Sequence, residues 1–203
     1  MYDNKNLLFV GSFNESIIIP LKANSETFGI RFMPSVLPQL LNIKASEFTN
    51  KIIPLEDISK ELFLLLNFNE KVETTKVNKL NNILENYCED IILNKNMLRI
   101  IDEIMFKEGN LSIKEISQTY DINSRQLERL FNNLLGFSPK KFTNIIRFFY
   151  AFKSLMKNGF NELSLKALGF GYYDQAHFNK EFKKFSNFTP TDEVMSFFYN
   201  IKK

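Results

Sequence analysis

Apolar residues recur every three or four positions through the second half of the chain, and the pattern resolves into a succession of amphipathic helices. Met97 to Phe106 forms one apolar stripe, which Gly109 ends. Ser112, with Glu115 three residues later, reads as a capping box opening the next helix. Leu127, Leu130, Phe131, Leu134 and Leu135 give an inward face to a helix from Ser124 to Leu135, leaving Arg125, Glu128, Arg129, Asn132 and Asn133 outward. Ser138-Pro139 then opens a long helix that runs to about Lys157, before Asn158-Gly159 stops it. Its stripe is Phe142, Ile145, Phe149, Phe152 and Met156. Two further helices follow, Leu163 to Phe170 and Asp174 to Phe185. In the second, Phe178, Phe182 and Phe185 face inward and Gln175, His177, Asn179, Lys180, Lys183 and Lys184 face out.

The first half is patterned differently. Leu7-Leu8-Phe9-Val10, Ile17-Ile18-Ile19 and Phe28-Gly29-Ile30-Arg31-Phe32 are short β-like runs separated by Gly, Ser, Asn and Pro. Three such strands make a poor sheet alone. After Pro34 the pattern predicts helices near Ser35 to Leu41, Leu55 to Leu66 and Val72 to Tyr87, with Pro38 and Pro54 as punctuation.

The helical half contains an internal repeat, in which Leu111 to Pro139 returns in altered form as Leu163 to Pro190. Leu127, Phe131 and Pro139 match Phe178, Phe182 and Pro190 at one constant offset. Ser117 and Asp121 match Ala167 and Gly171 at an offset one shorter, so the second turn carries an extra residue. Each copy has a small residue to pack against its partner helix and, four positions on, one that tolerates the left-handed conformation. That is the requirement of a helix-turn-helix. Asn123 and Asp174 precede the two second helices, where their side chains can cap the exposed N–H groups. The expected fold is mainly α: two helix-turn-helix modules joined by a long spacer helix, preceded by a small α+β region.

Composition narrows the chemistry. A 203-residue chain that is 44% hydrophobic can bury a core, and 22 Phe with no Trp are read chiefly as core residues. One Cys (Cys88) and one His (His177) cannot supply a zinc site, a Cys-His dyad or a disulfide, so no metal or cofactor is expected. No nucleophile, acid–base pair or phosphate loop has a partner at useful spacing, so no catalytic residue is assigned and the chain is not read as an enzyme. Absence of a long apolar run or a basic leader places it in the cytoplasm, away from membranes. The formal charge of +3 is unevenly placed: from Met97 onward there are 16 Lys and Arg against 11 Asp and Glu, before it 10 against 12. A basic half favours a polyanion as partner for that half alone.

Ile116-Ser117 to Phe131, Gly136-Phe137-Ser138-Pro139, Arg147, Ala151 and Leu155, Gly171 to Phe178, Glu181 to Phe185 and Phe188-Thr189-Pro190 together resemble the AraC/XylS family of bacterial transcription regulators. The resemblance covers about the last hundred residues. It implies double-stranded DNA as partner, with the second helix of each module in adjacent major-groove segments. Carried over by position, the base-facing candidates are Arg125, Glu128, Arg129 and Asn132 in the first module, and Gln175, Ala176, His177, Asn179 and Lys180 in the second. Arg125 and Arg129 suit guanine, Glu128 cytosine, and Gln175 or Asn179 adenine. Lys114, Lys140, Lys183 and Lys184 suit phosphates. His177 has a second reading as a local hydrogen-bonding residue of its turn. Arg147 on the spacer is suited to fasten the modules through a carboxylate or backbone carbonyls. Lys166 stands where the family commonly has an apolar residue, so Leu163, Leu165 and Leu168 would carry that helix's packing.

Residues from Phe28 to Pro34 and on through Ile53 to Asp57 also resemble the tail of the sensor region found in some of these regulators. The expected organisation is a shortened N-terminal region over 1–92, with no assumed effector pocket, and a DNA-binding domain over 93–203 with modules at about 111–136 and 162–186. RNA polymerase is a candidate further partner, and the chain is expected as a monomer or weak homodimer. The alternative reading is a truncated interaction protein that modulates a full-length regulator by heterodimerisation.

Overall fold

The computed structural model describes residues 7–17, 19, 23–24, 27–67, 74–89, 91–158 and 169–190. Among these it is mainly helical, with nine α-helices and one two-stranded sheet. They fall into two compact units. The first draws on Met1–Phe13, Ile18–Lys95 and Asn132–Gly136, and the second on Asn14–Ile17, Asn96–Phe131 and Phe137–Lys203.

In the first unit β1 (Leu8–Val10) pairs antiparallel with β2 (Ile52–Pro54), placing Phe9 opposite Ile53. This corrects the sequence reading, in which Pro54 was only punctuation and Leu8–Val10 was one of three strands. Ile17, Ile19 and Phe28 to Phe32 lie outside strands, and Phe28 and Ile30 are exposed. An apolar run becomes a strand only where another backbone edge accepts it, and Ile52-Ile53 supplies the one such edge among the described residues. Pro54, which cannot donate, closes β2.

Helices α1 (Val36–Leu40), α2 (Leu55–Ile58), α3 (Lys60–Leu66) and α4 (Thr74–Cys88) follow, with a 3-10 turn at Ala45–Phe48. The single helix expected from Leu55 to Leu66 is broken at Ser59, whose backbone is extended (φ −151°, ψ 105°) and whose hydroxyl accepts from Leu62 N at 3.1 Å. A serine that caps a new helix competes with continuing the old one. Phe9, Leu55, Leu62, Leu66 and Leu80 form the core, and Phe9 meets Phe48 edge-on with ring centroids 5.5 Å apart. Within the same unit Ser12 Oγ donates to Leu135 O (2.7 Å) and Thr49 Oγ1 to Gly136 O (3.2 Å).

The second unit contains α5 (Lys95–Phe106), α6 (Ile113–Thr119), α7 (Ser124–Leu135, whose last turn groups with the first unit), α8 (Pro139–Asn158) and α9 (Gln175–Ser186). Met97, Ile100, Ile101 and Ile104 bury one face of α5. Phe106, two positions past Ile104, falls off that face and is 82% exposed. Along α8 the buried side chains include Phe142, Ile146, Ala151, Leu155 and Met156, whereas Phe149, expected in the stripe, is 49% exposed. The reason is that α8 changes partners along its length. Near its start Phe142 meets Phe131 of α7 edge-on at 5.9 Å, and near its end Ala151, Leu155 and Met156 join Tyr172, Phe178 and Phe182 in a second cluster. A helix that packs on two bodies has no single straight stripe. The expected helix from Leu163 lies outside the described residues as far as Leu168. Among the described residues no helix is long and apolar enough to cross a membrane.

Candidate nucleic-acid interface

Each second helix of the repeat is built by the same local rules. In the first module the capping box is complete: Ser112 Oγ accepts from Glu115 N (3.2 Å) and Glu115 Oε2 accepts from Ser112 N (2.8 Å). These hydrogen bonds hold the Glu115 carboxyl below its usual range, aided weakly by Lys107. After α6 the chain turns at Asp121, which is left-handed at φ 47°, while Ile122 N donates back to Ser117 O (3.1 Å). Asn123 then caps α7, its Oδ1 accepting from Gln126 N at 2.9 Å.

The second module repeats the turn and the cap. Gly171 is left-handed at φ 75°, and Asp174 caps α9 by accepting from His177 N at 2.7 Å. The match continues to the far ends, where Gly136 (φ 73°) follows α7 and Asn187 (φ 64°) follows α9. Each donates its N–H to the carbonyl four residues back, Asn132 and Lys183 respectively.

Leu127 and Phe131 are fully buried under α7, as Phe178 and Phe182 are under α9. The opposite faces are open. Arg125, Arg129 and Asn132 are exposed on α7, and Gln175, Ala176, His177, Lys180, Lys183 and Lys184 on α9; Lys114 and Lys140 are exposed too. Two candidates differ from expectation. Glu128 and Asn179, equivalent in the repeat, are both half-buried, and Asn179 Oδ1 is enclosed with no hydrogen-bond partner among the described residues. Each directly follows a fully buried anchor, Leu127 or Phe178, so it flanks the buried face instead of opposing it. Asn133, expected outward, is also half-buried in the last turn of α7.

His177 takes part in its own turn: its Nδ1 accepts from Tyr173 N (3.4 Å), and its ring meets Tyr172 at 5.4 Å. Arg147 uses backbone carbonyls, the second of the two fastenings expected for it. Its Nη2 donates to Gly109 O (3.3 Å) and its Nη1 to Gly171 O (3.5 Å).

Three residues here were not singled out by the sequence reading. Lys141 Nζ donates to Asn14 O (2.7 Å) and lies over the Phe185 ring at 5.2 Å. Desolvation, then Lys184, lowers its pKa. Tyr172 is buried, and burial followed by nearby Glu181 pushes its phenol upward. Glu181 is only 8% exposed, with Oε2 unpartnered among the described residues. The available signal was the repeat itself, which aligns Glu181 with the apolar Leu130.

One capped helix pair, α6 and α7, and a second helix, α9, with the same kind of turn and cap before it, have the design of helix-turn-helix modules and both pack on α8. Residues 116–193 match the sequence profile of the family described as helix-turn-helix domain, and residues 1–54 match a domain of unknown function, DUF6597. Residues 116–193 thus carry the sequence pattern of a helix-turn-helix domain. Two solved structures of ToxT are similar to the chain. That of ToxT from Vibrio cholerae is 22% identical over 70% of this chain and 55% of its own, with a TM-score of 0.43. That of ToxT from Vibrio cholerae O395 is 20% identical over 69% of this chain and 56% of its own, also at 0.43. The chain therefore matches a little over half the length of these proteins. None of the curated proteins matches it.

Proposed function

We propose that the chain is a sequence-specific DNA-binding regulator of transcription that presents α7 and α9 to adjacent major-groove segments on one face of the duplex. The observation carrying this reading is the match of residues 116–193 to the helix-turn-helix domain family. The exposed faces of α7 and α9 agree with it.

In this reading Arg125 and Arg129 offer bidentate donors to guanine O6 and N7, and Asn132 continues that face. On α9 the Ala176 methyl meets a thymine methyl, and Gln175 and Lys180 reach base edges. His177 keeps Nε2 for a base or phosphate while Nδ1 serves its turn. Glu128 and Asn179 act from the edges of their faces, where their half-burial limits their reach. Lys114, Lys140, Lys183 and Lys184 neutralise phosphates, which fix register without reading sequence. One chain carries both reading helices, so a monomer suffices for a complete site.

Selection from random duplexes tests this directly. An enriched motif is expected, and its affinity should fall log-linearly with salt at a slope of about −0.9 per neutralised phosphate. Failure to enrich any motif sinks the proposal.

A further inference from the structure

We infer that Arg147 is a positioning residue that holds α7 and α9 at one separation and so sets the spacing between the two DNA half-sites the chain accepts. The inference rests on the DNA-binding reading above and adds what fixes its geometry.

Arg147 lies within α8, and its guanidinium grips one carbonyl from each side of the spacer. Gly109 O belongs to the loop leading into α6, and Gly171 O to the turn leading into α9. Gly109 and Gly171 are each left-handed at φ 75°. A Cβ on Gly109 would sit 2.4 Å from Arg147 N and 2.4 Å from Thr143 O, so this loop lies directly on α8. A Cβ on Gly171 would sit 2.7 Å from Asn110 Oδ1, so the residue after Gly109 also lies against the second turn.

The grip extends into the second reading helix. The guanidinium carbon lies 5.8 Å from the centroid of the Tyr172 ring, within cation–π range. Tyr172 in turn packs edge-on against Phe178 of α9 at 5.1 Å. Lysine cannot replace this arrangement, because it presents one point of charge where the guanidinium presents a planar fork. Two linked heads gain avidity only when both engage at once, so the residue that fixes their offset governs which half-site spacing is accepted.

The test uses the full chain and a two-part site from random-duplex selection, with zero, one, two or five base pairs inserted between the halves. For the natural chain one inserted pair should cost about tenfold or more in affinity, because the second head then misses its groove. Arg147→Met should lose about tenfold on the uninterrupted site while its insertion penalty shrinks to about threefold or less, the sign of heads no longer held in register. Affinity for each isolated half-site should stay unchanged, which a general loss of folding would not leave intact. Arg147→Lys keeps the charge and the stem, and serves if the Met variant does not fold; it should show the same flattened penalty. If the natural chain enriches no motif, the DNA-binding reading falls and this inference with it. If it enriches a two-part site and a folded Arg147 variant keeps the full insertion penalty, only the role of Arg147 is overturned.

Discussion

Glu181 of α9 occupies the position that Leu130 holds in α7, and it is the more buried of the two. One module thus places a carboxylate where the other places an aliphatic side chain. Glu181 Oε2 has no hydrogen-bond partner among the described residues, and a buried polar atom left unpaired costs about 1–3 kcal/mol. Glu181→Leu, which restores the first module's residue, is expected to stabilise the fold by about that amount. Urea unfolding measures it. A lower midpoint at unchanged slope would mean that the carboxylate supports the fold.

The two turns differ in the same instructive way. Asp121 and Gly171 both adopt left-handed backbone, but only glycine does so without a steric cost. Asp121→Gly should therefore leave stability unchanged or raise it by about 0.5–1 kcal/mol, whereas Gly171→Ala should lower it by about 1–2 kcal/mol. Thermal melts of the two variants are enough. The pair is informative because the expected signs are opposite.

Acid sensitivity should be traceable to the capping box. The Glu115 carboxyl has a folded pKa below its ordinary 4.5, chiefly through the Ser112 hydrogen bonds. A depressed carboxylate contributes stability that is present above its unfolded pKa and is lost as pH falls through the folded one. Ser112→Ala removes the cap, at a cost of about 1 kcal/mol near neutrality, and should also flatten the decline below pH 4.5. Denaturant midpoints across that range will separate the effects. An unchanged acid limb would assign the decline to other carboxyls.

Contacts to bases and to phosphates should fail differently. Arg129→Ala is expected to cost about 1–3 kcal/mol on the selected site and to relax base preference at one position. Lys183→Ala should instead weaken binding to all sequences alike and reduce the salt slope by about one. Salt titrations on the selected duplex and on a scrambled one distinguish these outcomes. A Lys183 variant that altered base preference would move that residue from phosphate to base.

The helical half was legible in sequence because its signals are local. Ser112 and Glu115, Asn123 and Asp174, and the turns at Asp121 and Gly171 each act within a few residues, and each is found where the pattern placed it. What sequence could not supply was pairing at a distance. Leu8–Val10 needs Ile52–Pro54, more than forty positions away, and neither run announces the other. Phe149 is exposed because α8 changes packing partners midway, a fact that one helix's periodicity cannot contain. For the interface, the pattern identified the open faces of α7 and α9 but set Glu128 outward and Asn179 largely outward, when each borders a buried anchor. Lys141 was passed over because its partner, the carbonyl of Asn14, is far away in the chain.

In the proposed function one chain carries two reading heads that engage DNA together. Hydroxyl-radical and methylation-interference footprints on the selected duplex test it most directly, using the natural chain, Arg125→Ala/Arg129→Ala and Lys180→Ala/Lys183→Ala. Two protected major-groove patches are expected on one face, centred about 34 Å apart, with each double variant erasing a different patch. A single patch, or two patches lost together in either variant, would contradict the two-headed account.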